Sequence, residues 1–379
     1  MSEQNDRIEI AGAGPAGLTA ALTIAGEGMK PIVYERRKTV GDRFHGDFQG
    51  LENWSSETDV IEELQSIGIE PTFDYTPVKR CVFWSVDEQR YVFESEDPLW
   101  YLVRRGSEEG TLDHGLQQQV RDAGITIRTG ETKKHLPEGG IVTHGPRRAD
   151  VIATGYVFDT SMEDGCYSIL SDELAPSGYA YLLIVDGHGT IATCLFDDFH
   201  SEKMYLDRTV EAFHEKLDLE MKNQVKFGGY GNVFMDPEVR KGNLLYAGEA
   251  AGFQDALFGF GMRYAIRSGH YAGRALATGA PELYEDLCDE HLRPMQKRSV
   301  VNRYLFNKVG DWGYKRLLNS IDNSEDPREW MNNYYSPNWL KNMLYPIARN
   351  AYRDKKNLVR ECKDDCTCTF CQCERDRQE

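Results

Sequence analysis

Gly12, Gly14 and Gly17 stand in a Gly-Ala-Gly-Pro-Ala-Gly run whose spacing suits the cradling of a pyrophosphate. Upstream, residues 7–11 read as a short apolar strand; downstream, Leu18, Ala21, Leu22 and Ala25 recur at helical spacing. In that order of strand, turn and helix, Gly12 takes the tight turn and Gly14 leaves the backbone open to a phosphate. Ala16 belongs to the same small-residue turn, and Gly17 lets helix and strand pack closely. Amide groups at the helix start, with the positive end of its dipole, then face the anion. Residues 31–35 form a second strand ending in Glu35, a carboxylate placed to accept hydrogen bonds from ribose hydroxyls. Arg36 and Arg37 follow at once, so the turn also admits a ribose 2′-phosphate.

A second group of chemically able residues crowds the C-terminus. Cys362, Cys366, Cys368, Cys371 and Cys373 lie in a polar stretch too short to build a core. Cys366, Cys368, Cys371 and Cys373 have spacings suited to tetrahedral coordination of zinc, with Cys362 competing for a position. A structural zinc contributes on the order of 10 kcal/mol to a small module, enough to order such a tail. A thiol–disulfide relay, an iron–sulfur cluster and a disordered reactive tail are the alternatives.

The elements that must position these groups follow from pattern. Residues 41–50 are glycine-rich without clean period and read as a loop over a ligand, carrying Arg43 and His45. Residues 56–67 and 111–123 read as helices, 78–86 and 90–94 as paired strands, and 125–127 as a strand. Residues 149–155 read as a strand returning to the parallel sheet and closing at Gly155. From residue 165 to 234 aromatic and β-branched residues recur around a helix near 207–217, which predicts a second, largely antiparallel sheet. Its aromatics are candidates for an apolar pocket, though core filling accounts for most of them. Residues 243–249 form another buried strand ending in Glu249, and Gly259-Phe260-Gly261 opens a helix. Beyond Pro281 the chain reads as helical, polar and aromatic, and there is no internal repeat.

The chain of 379 residues is 40% hydrophobic, ample for a core in two or three subdomains. Its 61 acidic against 44 basic side chains give a net charge of −17, which disfavours nucleic acid as a partner. A polar N-terminus without a secretory pattern, and the lack of any apolar run near 18 residues, lead to the expectation of a soluble, cytoplasmic protein. The aromatic helices after Pro281 are candidates for peripheral membrane or subunit contact.

Three separated segments point one way. Residues 12–17 with Glu35, Ala153-Thr154-Gly155, and Gly248-Glu249-Ala250-Ala251-Gly252 followed by Gly259-Phe260-Gly261 together resemble the signatures of the geranylgeranyl reductase-like flavoproteins. That family shares its fold with the flavin monooxygenases of the p-hydroxybenzoate hydroxylase type, and the resemblance spans residues 7–280. Gly252 stands where the aromatic monooxygenases usually carry His, which places the chain nearer the reductases. Glu249 replaces the family's Asp, Tyr181 in Tyr179-Ala180-Tyr181 replaces a Trp, and His45 replaces a Cys near the flavin. Arg104 or Arg105 matches the family's flavin-proximal arginine.

The resemblance implies an α/β fold class: a Rossmann-like FAD-binding domain (1–77, 100–160, 235–280) and a second, mainly antiparallel-sheet substrate domain (78–99, 161–234). A helical C-terminal region (281–360) and a Cys-rich tail (361–379) complete the chain. It implies FAD held by Gly12, Gly14, Ala16, Gly17, Glu35, Arg36, Arg43, Arg104, Gly155, Gly248, Glu249, Gly259 and Gly261. The implied activity is hydride transfer from reduced flavin to an apolar unsaturated or quinone-like molecule, with His45 as proton donor and Tyr179 and Tyr181 shaping the pocket. The sequence has no second dinucleotide fingerprint, so the reductant is either NAD(P)H bound transiently or a protein donor such as ferredoxin. An FAD monooxygenase using NAD(P)H and oxygen, and a non-catalytic lipid-binding protein, are the alternative functions.

Overall fold

A computed structural model describes residues 7–233, 238–336, 338–354, 366 and 368–372. The N-terminal strand Arg7–Ala11 lies inside a six-stranded sheet, flanked by Lys30–Glu35 and Gly140–Val142, with Thr126–Thr129 and Leu244–Tyr246 outside them. These strands are parallel, and Arg240–Lys241 adds an antiparallel edge. Ile10 sits opposite Val33 and Ile141, and all three are fully buried, as expected of strands covered on both faces.

Helices cover this sheet. Gly14 caps Pro15–Gly26, where Pro15 occupies the first helical position, whose amide has no partner to lose. Thr111 caps Leu112–Asp122 by accepting the His114 N–H at 3.3 Å. Met262–Ala277 crosses the first helix closely, because a Cβ at Gly269 would lie 2.2 Å from the Ala16 carbonyl oxygen.

The second sheet has seven strands in the order Lys222–Gly231, Val151–Asp159, His188–Leu195, Tyr179–Val185, Gly165–Leu170, Arg80–Ser85, Arg90–Glu94. All neighbours are antiparallel except Gly165–Leu170 with Arg80–Ser85. The expected strand at residues 149–155 thus belongs to this sheet and not to the parallel one. Its apolar run reads alike in either setting, whereas the true parallel strand, Gly140–Val142, is too short to show a period.

A third sheet pairs Phe48–Glu52, Trp100–Arg104 and Tyr75–Val78. Part of the expected loop at 41–50 is therefore strand, since Phe48 pairs with Arg104 and Gly50 with Leu102. Gly50 is required there, because a Cβ would meet the Phe260 ring at 2.3 Å.

Further on, the helix Arg293–Asp322 breaks at Gly310, whose φ of 51° few other residues adopt. With Pro327–Tyr335 it packs Phe306, Tyr314, Leu318 and Tyr335 against Trp54, Tyr91 and Phe93. Trp339–Asp354 follows. Among the described residues, no helix is long and apolar enough to cross a membrane.

Candidate functional site

An elongated cavity of about 910 Å³ runs from the glycine-rich turn to the inner face of the second sheet. Its volume is that of a site for a large cofactor or ligand. Three regions differ in chemistry.

At the first, Gly12, Ala13, Gly14, Pro15 and Ala16 form the wall. Gly12 has φ of 118°, and a Cβ on it would lie 2.6 Å from the Thr143 carbonyl oxygen. Thr143 holds the turn by donating its hydroxyl to the Gly12 carbonyl at 2.7 Å. Gly17 lies beneath, with a Cβ there meeting Gly12 O at 1.9 Å, so it serves packing. At Gly14, by contrast, no atom lies within 4 Å of an added Cβ. The backbone at the helix start is thus open to the cavity, a cradle of the shape and polarity a pyrophosphate requires.

Glu35 is tied to this turn. Its Oε2 accepts the Ala13 N–H at 3.0 Å and its Oε1 the Arg37 N–H at 2.8 Å, which fixes the carboxylate toward the cavity with lone pairs left for hydroxyls. Arg36, Arg37, Lys133, Lys134, His144 and Arg147 line the same mouth. In a chain of net charge −17, that local concentration of arginine and lysine favours an anion. Burial, and then the charge of Arg147, hold the His144 imidazole below its usual value, so it stays neutral near pH 7.

The middle region joins Arg43, Phe44, His45, Asp47, Arg105, Gly248 and Glu249. Arg43 lies 3.6 Å from Glu249 Oε2, donates to the Tyr230 carbonyl and covers the Tyr230 ring at 4.8 Å. Burial raises the Glu249 carboxyl, opposed by Arg43 and Arg105. Gly248 has φ of 62°, and its N–H donates to Ser268 Oγ at 2.8 Å. His45 is exposed at the rim, its N–H donating to Asp47 Oδ1 at 3.1 Å.

Arg104 and Arg105 part company at the end of their strand, because successive residues point to opposite faces. Arg104 pairs with Asp74 at 2.9 Å away from the cavity, correcting its expected cofactor role. Arg105 makes two 2.8 Å bonds to Asp113 and lies 4.0 Å over the Phe44 ring, facing inward. Gly155 is likewise displaced: it sits within the second sheet between Ala192 and Phe227, where a Cβ would meet Ile191 O at 2.1 Å, and does not line the cavity.

The third region is apolar. Gly259, Phe260 and Gly261 lead into the helix Met262–Ala277 and face Phe83, Trp100, Leu170, Tyr179 and Tyr181. The positive end of that helix points at whatever lies between loop and sheet. Tyr179 donates to the Phe258 carbonyl, and its ring is 5.9 Å from that of Tyr181. Burial pushes both phenols well above their usual value, so they are neutral hydrogen-bonding groups at physiological pH. Cys81 and Cys166, joined as a disulfide, line the same region, as does Cys194, whose thiol burial pushes up to about 11.

The structure thus brings to one cavity His45, Tyr179, Tyr181, Gly12, Gly14, Ala16, Glu35, Arg36, Arg43, Gly248, Glu249, Gly259 and Gly261. Thr143, His144 and Lys133 join them without a motif to mark them; the available signal was the apolar Ile141-Val142 pair preceding a Thr-His-Gly-Pro turn. Of the tail, Cys366, Cys368 and Cys371 lie apart from the cavity lining, while Cys362 and Cys373 fall outside the described residues.

No protein-family model matches the sequence, and no curated protein matches it either. Solved structures do resemble it. A geranylgeranyl bacteriochlorophyll reductase-like protein from Thermoplasma acidophilum superposes with a TM-score of 0.68 at 20% identity, over 92% of this chain and 98% of that one. A flavoprotein/dehydrogenase from Cytophaga hutchinsonii gives 0.64 at 14% identity, over 92% and 97%. A flavin-dependent brominase gives 0.61 at 14% identity, over 93% and 99%. What the chain shares with these proteins is the fold, and it is the expected geranylgeranyl reductase-like flavoprotein fold.

Proposed function

We propose that this protein is an FAD-dependent oxidoreductase that reduces an apolar, unsaturated or quinone-like molecule by hydride transfer. The observation that carries the reading is Gly14: a helix start whose glycine faces open space, at the head of a cavity that ends among aromatic side chains. The fit to an extended dinucleotide is chemical as well as spatial. The backbone N–H groups of Gly14 and Ala16 would meet the pyrophosphate, Glu35 the ribose hydroxyls, and Arg36, Lys133 and Arg147 the remaining negative charge. Gly259 and Gly261, having no side chains, let the backbone approach a flat ring closely, with the Gly259 N–H itself donated to the Asp255 carbonyl at 3.1 Å.

When bound, the flavin would supply the hydride, re-reduced either by hydride from NAD(P)H or by two single-electron transfers from ferredoxin with uptake of a proton. The chain supplies the rest. The start of Met262–Ala277 stabilises negative charge on the ring's polar edge, and the aromatic lining excludes water from the acceptor. Tyr179 and Tyr181 stay neutral and orient the substrate's polar end. His45 at the rim holds the proton that completes reduction of a double bond, in exchange with solvent. The exposed apolar face of Trp339–Asp354 supports peripheral membrane contact, where apolar substrates reside.

The test uses purified full-length protein. Wild type is expected to carry FAD, and Gly14→Val to fold normally but lose it, since the new side chain projects into the pyrophosphate position. His45→Ala is expected to keep FAD while slowing anaerobic substrate reduction about 10²-fold or more. Colourless wild-type protein that takes up no flavin overturns the proposal, and equal flavin in Gly14→Val overturns the assigned turn.

A further inference from the structure

The cysteine tail does not form a site by itself. Its residues 368–372 are seated against the helical turn Phe199–Ser201 at the edge of the substrate sheet, and a histidine from that turn reaches the thiols. We propose that His200, Cys366, Cys368 and Cys371 bind one structural zinc ion that fastens the C-terminal tail to the substrate domain. This differs from the all-cysteine set expected from spacing, in that His200 supplies a ligand from 168 residues away from Cys368.

Geometry points to a metal. One ligand atom from each of His200, Cys368 and Cys371 lies within 4.8 Å of the others, and Cys368 Sγ to His200 Nδ1 is 3.9 Å. Zinc–sulfur bonds of about 2.3 Å set the edges of a tetrahedral site at roughly 3.8 Å, so the group needs little movement to close on an ion. Cys366 lies two residues before Cys368 on the same tail segment, and the proposal gives it the fourth position, which it would take as the site closes on an ion. A short helical turn, in which the Gln372 N–H donates to the Cys368 carbonyl at 3.0 Å, puts Cys368 and Cys371 on one side. The Cys371 N–H also donates to Cys368 Sγ at 3.5 Å, which orients that sulfur.

The surroundings orient the ligands. Phe370 stacks near Phe199 and meets the His200 ring edge-on, with centroids 5.6 and 5.1 Å away. The Thr369 N–H donates to buried Glu202 at 2.9 Å. Three thiols with one imidazole are a zinc set, since sulfur excludes magnesium and calcium and mixed sulfur and nitrogen ligation is common for structural zinc. A tail turn of this length cannot hold itself by burial alone.

The consequence reaches the cavity wall. Thr369 abuts Gly228, where an added Cβ would lie 2.6 Å from its hydroxyl, and residues 227–231 line the cavity. Fastening the tail therefore braces one wall of the cleft, although zinc binding itself does not depend on the flavin proposal.

The experiment measures metal in full-length protein purified under reducing conditions. About one zinc per chain is expected, falling to well below half in His200→Ala and Cys371→Ser, with His135→Ala unchanged. Replacing zinc with cobalt should give thiolate charge-transfer bands that shift in His200→Ala. Stripping wild type with a chelator, which needs no substitution, should speed proteolytic loss of the tail several-fold, with zinc restoring protection. Reduced, folded wild type without stoichiometric metal overturns the proposal. So does full metal with an unchanged cobalt spectrum in His200→Ala, or a Cys368–Cys371 disulfide that persists under reductant.

Discussion

Asp255 governs the loop that presents Gly259 and Gly261 to the cavity. Its Oδ2 accepts the Phe258 N–H at 2.6 Å, its Oδ1 accepts the Tyr335 hydroxyl at 3.0 Å, and its own N–H donates to the Phe260 carbonyl at 2.9 Å. Burial pushes its carboxyl up to about 6, against the pull of those bonds and of Arg303. A folded-state value above the unfolded one means the native protein holds this proton more tightly. The stabilisation is therefore complete below the unfolded value, near 3.8, and is lost as pH rises through about 6. Two pKa units bound the effect at about 3 kcal/mol. Asp255→Asn removes the titration, so its Tm should rise relative to wild type as pH goes from about 4 to about 7. A Tm difference that stays constant over that range would show that Asp255 is not the titrating group. None of this was legible in the sequence, where Asp255 is one acid among 61 and its buried partner Tyr335 stands 80 residues further on. Arg104 and Arg105 teach the same lesson, because a motif locates a pair of arginines while only the strand's pleat decides which faces inward.

Elements set the distance between the two ends of the cavity. The helices Pro15–Gly26 and Met262–Ala277 meet along a seam of small residues: a Cβ at Gly269 would lie 2.2 Å from Ala16 O, and one at Gly273 2.8 Å from Ala20 O. Because both helices start at the cavity, this seam fixes the phosphate-facing turn relative to the ring-facing loop. Gly269→Leu should force the helices apart, costing about 1–3 kcal/mol or more and loosening the bound flavin with it. Gly26→Ala, at the end of the first helix with nothing within 4 Å of its Cβ, should instead be neutral or stabilise by up to about 1 kcal/mol. Thermal unfolding and retained flavin measure both, and a Gly269→Leu protein as stable as wild type would rule out the close crossing. Such seams are legible as a pattern, since Ala265, Gly269 and Ala272 recur at helical spacing. Sheet membership is less so: the apolar segment expected to join the parallel sheet lies in the antiparallel one, as Val151–Asp159, and the unassigned Gly140–Val142 lies in the parallel sheet, because apolar content does not encode which strand a segment will pair with.

Across the whole molecule, charge and apolar surface are unevenly spread. The chain carries −17 overall, yet Trp339–Asp354 carries Lys341 and Arg349 with no acid between residues 339 and 351. On the same helix Trp339, Met343 and Ile347 fall at successive turns and are 71%, 64% and 53% exposed. Apolar side chains beside cations on one helix are the composition of a surface that rests on an anionic bilayer, with its apolar stripe among the acyl chains. On the function proposed above, that placement would bring the cavity to an apolar substrate held in a bilayer. Full-length protein should therefore sediment with phosphatidylglycerol-rich vesicles, and less well with neutral ones or at high salt, because the cationic contribution is screened. Replacing Trp339, Met343 and Ile347 together by Ser should cut vesicle binding at least several-fold while leaving flavin content intact, since none of the three lines the cavity. If wild type stays in the supernatant, the bilayer reading fails. If the triple variant instead converts a dimer to a monomer on gel filtration, the face belongs to a second copy of the chain.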